Sequence, residues 1–190
     1  IGNYGFFHTA ITGITIPKSV TFCARSALFY CNDLASIVVE DGNTKYKSMG
    51  GILYEAIDEQ PQSLRLVNCP GGYPNEALYE YMFPKNLIEI GVDAFYYCNY
   101  VRTLRLPYGV KRVGRGVFHH IDEVKIPSSV TDISEMAFEH TTVKKLYINL
   151  PEPPVLNDVN TVLSSTQLFV PYGAVSKYQA ARYWKDCVSI

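Results

Sequence analysis

The sequence lacks the features that announce most chemistries. Its 17 lysines and arginines stand against 18 aspartates and glutamates, a formal net charge of -1. No overall field therefore gathers nucleic acid or an anionic membrane surface. No apolar run approaches the roughly 18 to 20 residues needed to cross a bilayer. The opening Ile1–Phe7 has neither the basic head nor the small-residue cleavage site of a secretory signal, so any export signal is expected upstream. No nucleophile elbow, His-Glu-x-x-His helix, phosphate loop or dinucleotide fingerprint occurs. Cysteines number five, an odd count with no Cys-x-x-Cys spacing, and no complete disulfide framework is expected. Tryptophan occurs once, whereas tyrosine (15) and phenylalanine (9) are plentiful, a balance that suits half-buried β-rich surface. With 190 residues, 47% hydrophobic and 18% charged, the chain has enough apolar material for a substantial interior, which argues against disorder.

What is present is a repeat. The frame apolar-x-x-apolar-x-apolar-Pro ends at Pro17, Pro84, Pro107 and Pro127; Leu34–Val39 and Val143–Ile148 keep it without the proline, and Ser165–Pro171 keeps the proline. The middle apolar positions read as Ile14, Ile37, Tyr81, Leu104, Val124, Leu146 and Leu168. Apart from the gap between 37 and 81, they recur every 20 to 23 residues. A second phrase follows each proline (KSVTFC, KNLIEIG, YGVKRVG, SSVTDIS). A third joins a small and a large apolar residue: Ala27-Leu28, Ala94-Phe95, Val117-Phe118, Ala137-Phe138. The opening IGNYGF matches the second and third phrases, so the chain reads as starting inside a coil whose first strand lies upstream. Apolar-x-apolar triplets bounded by Pro or Gly predict short strands. Strands that return in one direction after each full turn stack as a parallel sheet, rung on rung about 4.8 Å apart. Each coil then needs its neighbours to cover its apolar side.

The period predicts one solenoid domain over residues 1–190: coils over 1–39, an enlarged coil over 40–80, regular coils over 81–149 and a cap over 150–190. The irregular stretch holds strand-like triplets at 50–55 and 62–67, which predict an extra hairpin or strand pair, and a loop at Cys69–Leu78. Near the end, residues 173–187 place Val175, Tyr178, Ala181 and Trp184 on one side of an expected helix that covers the last rung.

The phrase IPSSVTDISEMAFEHTTVKKLYI (126–148) resembles the BspA-like leucine-rich repeat, GNTKYKSMGGILYE (42–55) looks like that family's Asn-x-x-Tyr insert, and LFVPYGAVSKYQAARYWKD is similar to its closing segment in Bacteroides-type bacteria. Ser134 stands where the pattern has glycine, and 56–80 has no counterpart in it. The resemblance implies an α/β leucine-rich-repeat solenoid, right-handed, with short parallel strands on one face, irregular coil and short helices elsewhere, and a helical C-terminal cap. It also implies a secreted or surface-anchored protein with a role in adhesion or binding, partnered by a surface protein, a matrix component or a glycan. It brings no catalytic residue and no cofactor.

Among candidate sites, strand alternation favours the outward positions of the sheet face: Thr15, Val38, Met82, Arg105, Lys125, Tyr147 and Phe169, flanked by Ser36, Glu80, Thr103, Glu123, Lys145 and Gln167. Arg, Tyr, Phe and Met are enriched where partners bind. The competing reading is a merely solvated or covered sheet face. A second column, His8, Tyr30, Tyr97, His120 and His140, puts histidines on neighbouring coils. A polar-aromatic ladder explains it better than zinc, which takes three or four convergent ligands. Cys31 and Cys98 occupy equivalent places but are expected two rungs, about 10 Å, apart, too far for a disulfide, and read as buried thiols. Three functions compete: a recognition module, a spacer that holds another domain off the envelope, and, last, an enzyme.

Overall fold

The computed structural model describes residues 1–157 and 163–190. Residues 158–162 of the expected closing segment lie outside the described residues. Among the described residues thirteen short strands follow one another: β1 (Gly13–Ile16), β2 (Ser36–Val39), β3 (Tyr46–Met49), β4 (Ile52–Ile57), β5 (Gln60–Asn68), β6 (Ala77–Leu78), β7 (Leu87–Ile90), β8 (Thr103–Arg105), β9 (Arg112–Val113), β10 (Glu123–Ile126), β11 (Asp132–Ile133), β12 (Lys145–Ile148) and β13 (Gln167–Phe169). The expected parallel stack is present. β1 pairs with β2, and a five-stranded parallel sheet runs β13-β12-β10-β8-β6 with the repeat positions aligned, Leu104 beside Val124 beside Leu146 beside Leu168. These middle residues are 0–2% exposed, because alternation turns each of them into the coil.

Local chemistry sets each corner. After the strand, the residue three beyond the proline donates its N–H to the proline carbonyl, as in Val20 to Pro17, Leu87 to Pro84, Val110 to Pro107 and Val130 to Pro127, at 3.0 to 3.3 Å. Proline's fixed φ presets such a turn and gives up no hydrogen bond that the sheet needs. The second phrase then forms strands too, where irregular coil was expected: β7, β9 and β11 extend a second sheet, of order β11-β9-β7-β5-β4-β3. At the third corner Ala94-Phe95, Val117-Phe118 and Ala137-Phe138 are all fully buried, and the Phe118 and Phe138 rings lie 4.7 Å apart. Several of these corners end in a non-glycine residue with left-handed φ: His8 (58°), Tyr30 (60°), His120 (61°) and His140 (52°). That conformation is uncommon for such residues, so the surrounding coil must hold it.

The enlarged coil differs from a simple projecting hairpin. β3, β4 and β5 form an antiparallel meander that continues the second sheet through the parallel pair β5–β7. β4 is buried along most of its length, with Leu53 in an N-terminal apolar cluster and Ile52 and Tyr54 in a larger C-terminal one. It forms an internal wall. Between the corners of the second and fourth coils the chain passes as Cys69-Pro70-Gly71-Gly72. A Cβ on Gly71 would stand 2.6 Å from the Cys31 carbonyl oxygen and 3.0 Å from that of Tyr97, so only glycine fits between these backbones. Cys31 and Cys98 are therefore separated by this intervening rung.

The reading of Tyr81 as an inward strand residue is corrected. The strand of that coil is β6, Leu78 aligns with Leu104, and Tyr81 is 82% exposed on a 3-10 turn, Glu80–Met82. Met82, expected on the outward sheet face, lies on the same turn, half-buried against the larger core. The proline at 84 follows β6 by six residues rather than one or two, which misled the frame.

The cap helix is shorter than its periodicity suggests. α1 spans Val175–Ala180, the chain turns at Ala181, and a separate 3-10 turn covers Trp184–Asp186. Tyr178 and Trp184 are fully buried and meet edge to face at 5.4 Å, while Val175 and Ala181 remain half-buried. Trp184 Nε1 donates to the Pro154 carbonyl at 2.7 Å, and its ring meets Phe138 at 5.5 Å.

Candidate functional site

The outward positions predicted from alternation fall into two groups. Arg105, Lys125, Tyr147 and Phe169 stand opposite one another across β8, β10, β12 and β13, one row over four strands. Thr103, Glu123, Lys145 and Gln167 form the row beside it. Thr15 and Val38 pair with each other on the separate β1–β2 sheet, with Val38 50% exposed and Ser36 two residues earlier in β2. The structure therefore brings together four of the seven, keeps two on another sheet, and removes Met82.

Within the row, cross-strand contacts order the side chains. Tyr147 and Phe169 stack at 4.5 Å with their planes 10° apart, and Phe169 stays 44% exposed. Such pairs directly opposite one another are the units that stabilise a sheet surface. Arg105 donates from Nη2 to Glu123 Oε1 at 3.2 Å, and Lys125 donates from Nζ to Glu80 Oε1 at 3.2 Å. Burial pushes the Glu80 carboxyl up, but its own backbone N–H and the Lys125 ammonium outweigh burial and hold it below the usual carboxylate range.

Sequence reasoning missed one part of this face. Tyr79 lies under the Arg105 guanidinium at 5.2 Å, and Tyr81 stacks on Tyr79 at 5.9 Å. A guanidinium within about 6 Å of a ring face is attracted by the ring quadrupole. The signal was present in EALYEYMF, where Leu78 is the middle apolar residue aligned with Leu104, but the later proline drew the frame three residues on. Arg105 Nε is buried and has no hydrogen-bond acceptor among the described residues. The face thus offers three phenols, a phenyl ring, a guanidinium and an ammonium on a rigid sheet.

The histidine column behaves as a ring ladder. Tyr30 meets Tyr97 at 4.1 Å, and His119 meets Tyr96 at 4.5 Å, His120 at 4.1 Å and His140 at 6.4 Å. Burial lowers the His119 pKa below its ordinary 6.5, and the neighbouring His120 and His140 add to the effect. Among the described residues no group of three or more His, Cys, Asp or Glu is arranged to hold a metal ion. The cysteines hold one juxtaposition that their spacing did not reveal: Cys69 and Cys98, both buried, have their sulfurs 2.9 Å apart.

Stacked coils with a parallel sheet, a proline corner and a small-large apolar corner define a leucine-rich-repeat solenoid. The sequence profile of the BspA type leucine rich repeat region matches residues 1–50 and 73–153 in six copies, and the chain belongs to that family. The gap in the match coincides with the β4–β5 meander. Curated proteins give no match. Solved structures share the fold. A leucine-rich repeat protein from Eubacterium ventriosum superposes with a TM-score of 0.71 at 22% identity, covering 100% of this chain and 50% of that one. A leucine rich cell surface protein from Faecalibacterium prausnitzii gives 0.64 at 20% identity, covering 95% and 53%. The pneumococcal vaccine antigen PcpA gives 0.62 at 16% identity, covering 95% and 56%. The chain thus spans about half the length of these relatives.

Proposed function

We propose that this domain is a non-enzymatic recognition module of a bacterial cell surface that binds a protein, matrix or glycan partner through the face of β6, β8, β10, β12 and β13. One observation carries the reading: Arg105, Lys125, Tyr147 and Phe169 stand in register on one rigid sheet, with Tyr79 extending the row. Side chains of these types concentrate binding energy when a partner excludes water from them. The family, with relatives described as a cell surface protein and a vaccine antigen, supports the surface location.

A spacer with no ligand of its own is the second reading. It draws on the pairing of the face's charges with each other, Arg105 with Glu123 and Lys125 with Glu80, which leaves them little need of a partner. The two separate on one experiment. The double variant Arg105→Ala, Tyr147→Ala and the parent chain are passed over matrix-protein and glycan arrays. A folded double variant that loses at least about tenfold in affinity for a ligand of the parent supports recognition. Equal binding by both discards this face, and no binding by either favours the spacer.

A further inference from the structure

We propose that Cys69 and Cys98 are joined as a disulfide when the chain matures in an oxidising compartment, fastening the glycine-bearing rung of the enlarged coil to the coil that follows. The two sulfurs lie 2.9 Å apart, about 0.9 Å longer than a formed S–S bond of about 2.05 Å. Their backbones are already laced: the Cys69 N–H donates to the Ala94 carbonyl at 2.8 Å, and the Asn99 N–H to the Gly71 carbonyl at 3.2 Å. Rungs of one solenoid stand about 4.8 Å apart, within the roughly 4.4 to 6.8 Å that a disulfide spans between Cα atoms, so closing the bond needs no rearrangement of the coils.

The other three thiols are engaged differently. Cys31 donates from its sulfur to the Phe6 carbonyl at 2.9 Å, the Cys23 sulfur lies 3.9 Å from the Ala24 carbonyl oxygen, and Cys187 stands half-buried in the cap. The odd count that discouraged a disulfide framework is thus one pair and three single thiols. The surface location proposed above, on which this inference rests, is one where disulfides persist.

The chemistry is thiol–disulfide exchange with an oxidised partner, either a small disulfide such as oxidised glutathione or a disulfide oxidoreductase. The thiolate of one cysteine attacks the partner's S–S bond, forming a mixed disulfide and releasing one partner thiolate. The second cysteine, as thiolate, attacks the mixed disulfide at the protein sulfur and releases the other. Two protein thiols lose two electrons, the partner's disulfide gains them, and the two protons end on the released thiols. Burial pushes the Cys69 thiol well up, so the thiolate needed for attack is scarce once the coil has closed. The bond therefore forms while the third and fourth coils are assembling.

The experiment refolds the fully reduced 190-residue chain in glutathione buffers from reducing to oxidising, alkylates the remaining thiols, and digests without reductant. Trypsin cuts after Arg65, Lys85 and Arg102 and releases Cys69 in peptide 66–85 and Cys98 in peptide 86–102. The expected result is a single species that links these two peptides, lighter by two hydrogens than their sum, with Cys23, Cys31 and Cys187 alkylated. Reduction of the undigested oxidised protein is expected to lower its Tm by about 5 to 10 °C, while the Tm of a Cys69→Ala, Cys98→Ala double variant is unchanged by reductant. Peptides 66–85 and 86–102 recovered separately and fully alkylated across the whole oxidising range, from protein with native circular dichroism, would overturn the proposal. So would a different pairing as the main product.

Discussion

At the scale of single residues, the Asn-x-x-Tyr phrase shows how one side chain fixes a loop. The Asn43 amide nitrogen donates to the carbonyls of Pro17 and Val20, each at 3.0 Å, and its oxygen accepts from the N–H groups of Lys45 (2.9 Å) and Tyr46 (2.7 Å). Asn43 is 9% exposed, so water cannot replace these partners freely. Three residues on, the Tyr46 hydroxyl accepts the Cys23 N–H at 2.9 Å, tying the same loop to the preceding coil. Replacing Asn43 with Ala leaves the Val20 carbonyl and two N–H groups without their partner, while the Pro17 carbonyl keeps the Val20 N–H, and a loss of about 2 to 4 kcal/mol is expected in urea unfolding. A loss below about 0.5 kcal/mol would show that the backbone finds other partners. The resemblance marked Asn43 and Tyr46 as a motif, but a sequence does not say which distant carbonyls an amide will reach.

At the scale of elements, the cap shows why periodicity named the right residues and the wrong helix. Spacing picked out Tyr178 and Trp184, which are fully buried, yet the helix ends at Ala180 because Trp184 must turn in over Phe138 and reach the Pro154 carbonyl. Tertiary docking overrides the local preference for a continuous helix. Trp184→Ala is therefore expected to cost about 3 to 5 kcal/mol, with the control Tyr172→Ala, at a residue 98% exposed, close to neutral. Equilibrium denaturation of the pair decides it, and equal effects would remove the cap from the stability of the last rung. Regular coils were legible because a two-residue alternation recurs in each and a proline corner in most. The β4–β5 meander carries no such repetition, so a hairpin could be foreseen but not its place inside the stack.

At the scale of the whole molecule, stability follows from neighbours along one axis, and β4 divides that axis. The smaller cluster gathers Ile16, Leu34, Ile37 and Leu53, while the larger runs from Ile52 to Trp184. Repeat arrays lose cooperativity where the interface between units is interrupted. Hydrogen exchange is expected to show amides of β1 and β2 opening at lower free energy than those of β8, β10 and β12. A single shared opening energy across all five strands would contradict the division. The candidate face was partly readable for a related reason: Arg105, Lys125, Tyr147 and Phe169 come from coils that repeat faithfully, whereas Tyr79 belongs to the coil where the frame slips.

The buried strand also acts as a bulkhead. Because Leu53 and Tyr54 look into opposite compartments from adjacent positions, a hole opened in one is not refilled from the other. Turns could then be gained or lost at either end in the course of evolution while the far hold kept its cargo of side chains undisturbed.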